Sequence, residues 1–158
     1  MDKTIAREKT ALFRGRLSTP FQALLKHEFL QGEHSIFDFG CGRGDDLRLL
    51  EQGGIEARGW DPHYAPDEKI VSADVVNLGF VINVIESPSE RNDVLLQAFK
   101  QCKSLLVVSV MLHGQGQYAS VDEHGDGVLT SRNTFQKYYS QGEIKDLIEK
   151  VLVRQPVG

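Results

Sequence analysis

The chain has 158 residues, the length of one domain, and its 41% hydrophobic and 25% charged composition is that of a soluble globular protein. Eighteen basic against 22 acidic residues leave a net charge of −4, which argues against coating nucleic acid by bulk charge. No apolar run approaches the roughly 18 residues of a membrane span, the N-terminus has no secretory core, and Cys41 and Cys102 suit neither a disulfide framework nor a metal site, so a reducing, cytoplasmic setting is expected.

Charge is uneven along the chain. Residues 1–18 hold Lys3, Arg7, Lys9, Arg14 and Arg16 against Asp2 and Glu8, a net +3 that leaves −7 on the rest. This reads as a basic arm, 1–18, ahead of one domain, 19–158. Thr19-Pro20-Phe21-Gln22 predicts a helix start, with Thr19 as cap, Gln22 closing a capping box and Gly32 as the stop. Ser35–Phe39 reads as a buried strand, Asp45–Gln52 as a helix stopped by Gly53-Gly54, and Ile55–Trp60 as a second strand. Ala73–Leu78 is a third strand. A helix follows from Pro88 to about Lys103, with Val94, Leu95, Ala98 and Phe99 inward. Leu105–Val110 predicts a strand covered on both faces. Residues 111–139 look like a long polar excursion, a candidate lid, before a last helix over Ser140–Leu152. The alternation predicts βαβ units: an α/β, mostly parallel, doubly wound sheet with helices on both faces. Ligands of such sheets bind beyond the carboxyl ends of the strands.

Asp38-Phe39-Gly40-Cys41-Gly42-Arg43-Gly44 follows the first strand and opens a helix, so its glycines permit a sharp turn and close approach of a ligand. A dinucleotide fingerprint would place its third glycine at position 45, which is Asp45, with Asp46 after it. Two carboxylates there suit the helix dipole but repel a pyrophosphate, and no Lys-Ser/Thr pair makes a phosphate loop. The expected ligand is nucleoside-like, cationic and free of phosphate; S-adenosylmethionine meets that description. The D-x-G-x-G-x-G run resembles the first signature of class I methyltransferases. The resemblance implies cofactor contacts from Gly40, Gly42 and Gly44, with Asp38 near the amino group. It also asks for an acid after the second strand that accepts both ribose hydroxyls, and Asp61 stands there.

Ala73–Glu86 resembles the methyltransferase stretch in which an acid, here Asp74, opens the fourth strand and is counted with the cofactor site. Val84 replaces the His that many small-molecule methyltransferases carry. Asn77-Leu78-Gly79-Phe80 also resembles the Asp/Asn-Pro-Pro-Tyr/Phe motif of base amino-methyltransferases, without its prolines. That resemblance makes Asn77 and Phe80 the catalytic candidates, Asn77 binding the target amine and Phe80 stacking on the base. The alternative is Asn77 bonding the loop and Phe80 in the core.

Across nearly the whole chain the residues resemble the DNA phosphorothioation-associated methyltransferases. The strings are Lys9-Thr10-Ala11 with Arg14, Leu17-Ser18 with Pro20, Phe37–Asp46, Gly59-Trp60-Asp61-Pro62, Ala73–Glu86, Asp126–Thr130 and Thr134–Tyr138. The resemblance implies a Rossmann-like class I fold with S-adenosylmethionine as cofactor, in a setting of sulfur-modified DNA and its restriction. Members are longer, so the chain reads as an N-terminal part with the C-terminal strands incomplete. Nucleic acid is the expected acceptor, with Lys9, Arg14 and Arg16 as phosphate contacts. The alternatives are a non-catalytic cofactor- or partner-binding module and a small-molecule methyltransferase.

Overall fold

Five short helical or strand segments separated by glycine, proline or buried-acid turns precede residue 80, and their pairing sets the fold. The computed structural model describes residues 16–114 and 122–153. The basic arm up to residue 15, with Lys9 and Arg14, lies outside the described residues; Arg16 is exposed. The chain divides into two units, Met1–Asn77 with Gln101–Val107, and Leu78–Lys100 with Val108–Gly158.

The first unit holds helix α1 (Thr19–Lys26), strand β1 (Ile36–Phe39), helix α2 (Asp45–Gln52), strand β2 (Ala57–Trp60), most of β3 (Ala73–Gly79) and most of β4 (Cys102–Ser109). The strands form one sheet in the order β2-β1-β3-β4, and β1 is parallel to both of its neighbours. Every residue of β1 is buried, so both faces of the sheet centre are covered. On one face Ile36 and Val75 join Phe21 and Leu24 of α1 and Leu49 and Leu50 of α2 in a single apolar cluster. On the other, Phe37 and Val76 are fully buried.

Several boundaries differ from expectation. The cap of α1 is Ser18 rather than Thr19, Pro20 falls in the first turn, and no side chain closes a capping box. Gln22 donates to the Leu17 carbonyl at 2.6 Å instead, while the Ser18 amide and hydroxyl donate to Asp46 at 2.9 and 2.7 Å. Helix α1 stops at Lys26, well before Gly32. Glu28 takes a left-handed φ of 67°, and the Phe29 and Glu28 amides donate back to Leu24 and Leu25 at 2.9 and 3.2 Å. This is a Schellman cap without glycine, held because Phe29 packs onto the apolar cluster. Strand β4 is only partly buried along its length, because it is the last strand of the sheet order rather than a central one.

The second unit holds a 3-10 turn (Ile82–Val84), helix α3 (Pro88–Gln101, of which Gln101 belongs to the first unit) and helix α4 (Gln141–Ile148), which continues as a π turn over Glu149–Val153. Ser140 and Glu143 make the reciprocal capping box of α4. The inward face of α3 is Arg91, Leu95 and Ala98; Phe99, expected inside, is exposed. The stretch expected to be a polar excursion contains an antiparallel sheet of β5 (Asp122–His124), β6 (Gly127–Leu129) and β7 (Phe135–Gln136). Its first hairpin turns on Gly125-Asp126, with Gly125 at φ 58°, the residue order of type II′ loops.

Candidate functional site

The carboxyl ends of β1 and β2 carry the glycine loop and Asp61, and both are held by backbone hydrogen bonds. The Gly40 and Cys41 amides donate to the Trp60 carbonyl at 2.8 and 3.0 Å. Gly40, Gly42 and Gly44 all have left-handed φ, 94°, 56° and 80°, a run that L side chains would resist by about 1–2 kcal/mol per residue. Gly44 is the N-cap of α2. A Cβ on Gly42 would meet nothing within 4 Å, so its face is open. Gly59 is small for another reason. A Cβ there would lie 2.7 Å from the Cys41 Cβ and from Leu47, and 3.0 Å from the Asp38 carbonyl, so Gly59 lets β2 close against the loop.

Asp61 accepts from the Gly42 amide at 2.9 Å through one oxygen and from the His63 and Tyr64 amides at 2.8 and 2.9 Å through the other. Burial opposes its ionisation, but these three bonds outweigh it and hold the carboxyl below its ordinary range. Three of about four acceptor positions are thereby filled by the chain's own backbone.

Asp38 is 5% exposed and sits opposite Asn77 in the β1–β3 register. Asn77 Nδ2 donates to it at 3.0 Å. Burial pushes the Asp38 carboxyl up to about 7, and only the Asn77 bond pulls the other way against Asp46 and Asp61. Among the described residues neither Asp38 nor Asp61 is ion-paired with Lys or Arg. Asp46 and Asp45, the other acids of the loop region, are engaged, Asp46 by Ser18 and Asp45 by Arg48.

Asp74 is not brought to this group. It opens β3 at the amino end of the sheet, where its carboxylate accepts from the Ser35 amide at 2.9 Å, and that bond lowers its pKa. Its place is a tie between the starts of β1 and β3. Asn77 is only 3% exposed, with its donor engaged by Asp38. Phe80, in the second unit, is 37% exposed and holds a left-handed φ of 58°, its amide donating to the Ser109 carbonyl at 2.8 Å. It is therefore not a core residue.

A cleft of about 610 Å³ opens beside the loop, between α2, β2 and residues 64–69, with Gly42, Gly44, Arg58 and Tyr64 in its wall. Asp38, Asp61 and Asn77 do not line it. Arg43 lies 5.5 Å over the Tyr64 ring at its mouth.

Two polar residues of the second unit escaped the sequence reading. Arg91, 4% exposed, donates to Ile85 and Glu86 carbonyls and makes a two-pronged pair with Asp126 at 2.6 and 2.8 Å. It lies four and seven residues before Leu95 and Ala98, so helical spacing alone placed it inward. Asn83, 2% exposed, donates to Gln136 at 3.4 Å, and nothing local in the sequence signals it. No group of three or more metal-ligating side chains occurs among the described residues, and none of their helices is long and apolar enough to cross a membrane.

No family model matches the chain, and no curated protein does. Solved structures do. The CcbJ methyltransferase from Streptomyces caelestis is 14% identical at a TM-score of 0.56, covering 96% of this chain and 88% of that one. The 1,6-didemethyltoxoflavin-N1-methyltransferase of Burkholderia thailandensis, solved with its substrate and S-adenosylhomocysteine, is 12% identical at a TM-score of 0.59, over 95% and 68%. CalS10, an amino pentose methyltransferase from Micromonospora echinaspora solved with bound S-adenosylmethionine, is 12% identical at 0.52, over 89% and 86%. The fold is the Rossmann-like fold of class I methyltransferases. At these identities the likeness is one of fold.

Proposed function

We propose that the chain is an S-adenosylmethionine-dependent methyltransferase acting on the exocyclic amine of a nucleic-acid base. The observation that carries the cofactor reading is the run of three left-handed glycines beside Asp38 and Asp61, two carboxylates without a basic partner among the described residues. Uncompensated negative charge favours a cationic, phosphate-free ligand. In this reading the Gly40–Gly44 backbone admits the methionine part, Asp38 faces its ammonium, and Asp61 takes one ribose hydroxyl. When bound, the cofactor supplies a methyl group on a positively charged sulfur. The protein's own contribution is orientation and exclusion of water. A neutral amine needs no strong base, in keeping with Val84 where other methyltransferases carry His. Phe80, exposed in a strained backbone conformation, is the ring offered to the acceptor.

The nucleic-acid acceptor and its phosphorothioation setting are supported by the Gly59–Pro62 and Ala73–Gly79 strings, and by the charge of the arm carrying Lys9, Arg14 and Arg16. A small-molecule amine acceptor is the second reading. It is favoured by what the similar structures act on, a toxoflavin precursor and an amino pentose.

Thermal unfolding with S-adenosylhomocysteine tests the cofactor. At 100 times its dissociation constant it should add about 2.7 kcal/mol and raise Tm by roughly 5–10 °C. Asp61→Ala should erase most of that rise. An unmoved wild-type Tm at millimolar ligand would reject the reading. Transfer of labelled methyl groups to DNA, RNA and small amines then separates the acceptors.

A further inference from the structure

We propose that Asn77 is a positioning residue that acts through Asp38: its amide holds the buried carboxyl toward the ammonium of a bound cofactor, and it does not meet the methyl acceptor. The inference rests on the cofactor reading above. Three observations carry it. Asn77 and Asp38 are register partners on neighbouring strands, both more than nine-tenths buried, joined at 3.0 Å. One N–H of the Asn77 amide is thus engaged by Asp38, and at 3% exposure little of the side chain is open to a substrate. The Asn77 Oδ1 is buried with no hydrogen-bond partner among the described residues, an unmet acceptor that a bound donor would satisfy.

Asp38 faces Asp46 from α2, Asp61 from the end of β2, the Cys41 thiol of the glycine loop and Asn77 from β3, with no cation among them. Burial and the two carboxylates push the Asp38 carboxyl up to about 7, and burial with Asp38 and Asp61 pushes the Cys41 thiol up to about 11. Asp38 therefore holds a proton for part of the time near neutrality. When an ammonium arrives, the carboxylate form is needed, and Asn77 Nδ2, which alone pulls the Asp38 carboxyl down, supports that form. No hydrophobic residue of the same size does so.

The test is S-adenosylhomocysteine binding to the full chain between pH 5.5 and 8, with the Asp38 side-chain carbon followed by NMR in the absence of ligand. Wild-type affinity should rise about tenfold per pH unit and level off above the Asp38 midpoint. In Asn77→Ala the ligand-free midpoint should move up by about one unit and affinity at pH 7 should fall about fivefold, the loss shrinking at pH 8. Turnover at saturating cofactor should stay within a few-fold. Asn77→Leu, which fills the same space without a donor, should behave alike and serves if the alanine variant does not fold. Unchanged affinity and midpoint with a large fall in turnover would overturn the inference and return Asn77 to the acceptor. A wild type that binds no S-adenosylhomocysteine would overturn it together with the cofactor reading. In that case a ligand-free midpoint that still moves would show the pair to be real and its ligand wrong.

Discussion

Asp38 and Asp126 are both aspartates beside a single polar partner, and the protein treats their charge in opposite ways. In the second unit, Arg91 is buried, and four of its five N–H donors are met: Nε by Ile85, Nη2 by Glu86 and Asp126, Nη1 by Asp126, with the Phe135 ring 5.5 Å beneath. Arg91 draws the Asp126 carboxyl below its ordinary range. In the first unit, Asp38 has one neutral amide and two further carboxylates for company, and burial drives its carboxyl upward. A closed set of opposite charges holds a fold together. An open set of like charges costs stability and is retained where something else supplies the counter-charge, as at a binding site. The two units thus separate a structural ion pair from a candidate ligand site without reference to any motif.

The comparison breaks first at Arg91. Arg91→Met should cost about 3 kcal/mol, because it strands the Ile85 and Glu86 carbonyls, while Asp126, 43% exposed, regains water. Urea denaturation reads the loss. A variant of undiminished stability would mean that the network is not structural.

Asp38→Asn sharpens the contrast through pH. The Asp38 pKa is raised from 3.8 to about 7, so the folded state holds a proton there that the unfolded chain has released. Its contribution is full below about pH 4 and is lost as pH climbs through about 7. The asparagine variant should match wild type near pH 4 and exceed it by about 2–4 kcal/mol at pH 8, while binding S-adenosylhomocysteine more weakly. Denaturation curves at the two pH values decide it. Equal stability differences at both would show that Asp38 is not held in its raised state.

What the sequence disclosed follows the same division. Local rules were enough for β1, the glycine loop, α2 with its Gly53-Gly54 stop, and Asp61, because strand, turn and helix signals there lie within a few residues of one another. The early end of α1 was hidden, since Glu28 takes a conformation that its type disfavours and only the packing of Phe29 explains it. The β5–β7 sheet was hidden behind polar composition, although Gly125-Asp126 is a hairpin signal. A motif fixes the position of Asp74 in its strand, and only the sheet shows that this position lies at the amino end, beside Ser35. Asn77 was read by its spacing to Phe80, when its partner, Asp38, lies 39 residues away across the sheet.

The smallest stability effect belongs to Gly42, and it bears most directly on where a ligand sits. Gly42 and Gly59 lie in the same loop region and are small for different reasons. At Gly59 a Cβ would collide with Cys41 and Leu47, so substitution there tests packing. At Gly42 a Cβ meets nothing within 4 Å, and the φ of 56° is the one obstacle. Gly42→Ala should therefore cost only about 1 kcal/mol of stability, the strain of a left-handed alanine. If the open face of Gly42 is where the cofactor lies, the added methyl group occupies its space, and affinity for S-adenosylhomocysteine should fall by tenfold or more, about 1.4 kcal/mol. Calorimetry and thermal unfolding on the same variant separate the two effects. A loss of stability with unchanged affinity would make the open face of Gly42 mere solvent, and the cleft that Gly42 lines would then not be the cofactor cradle.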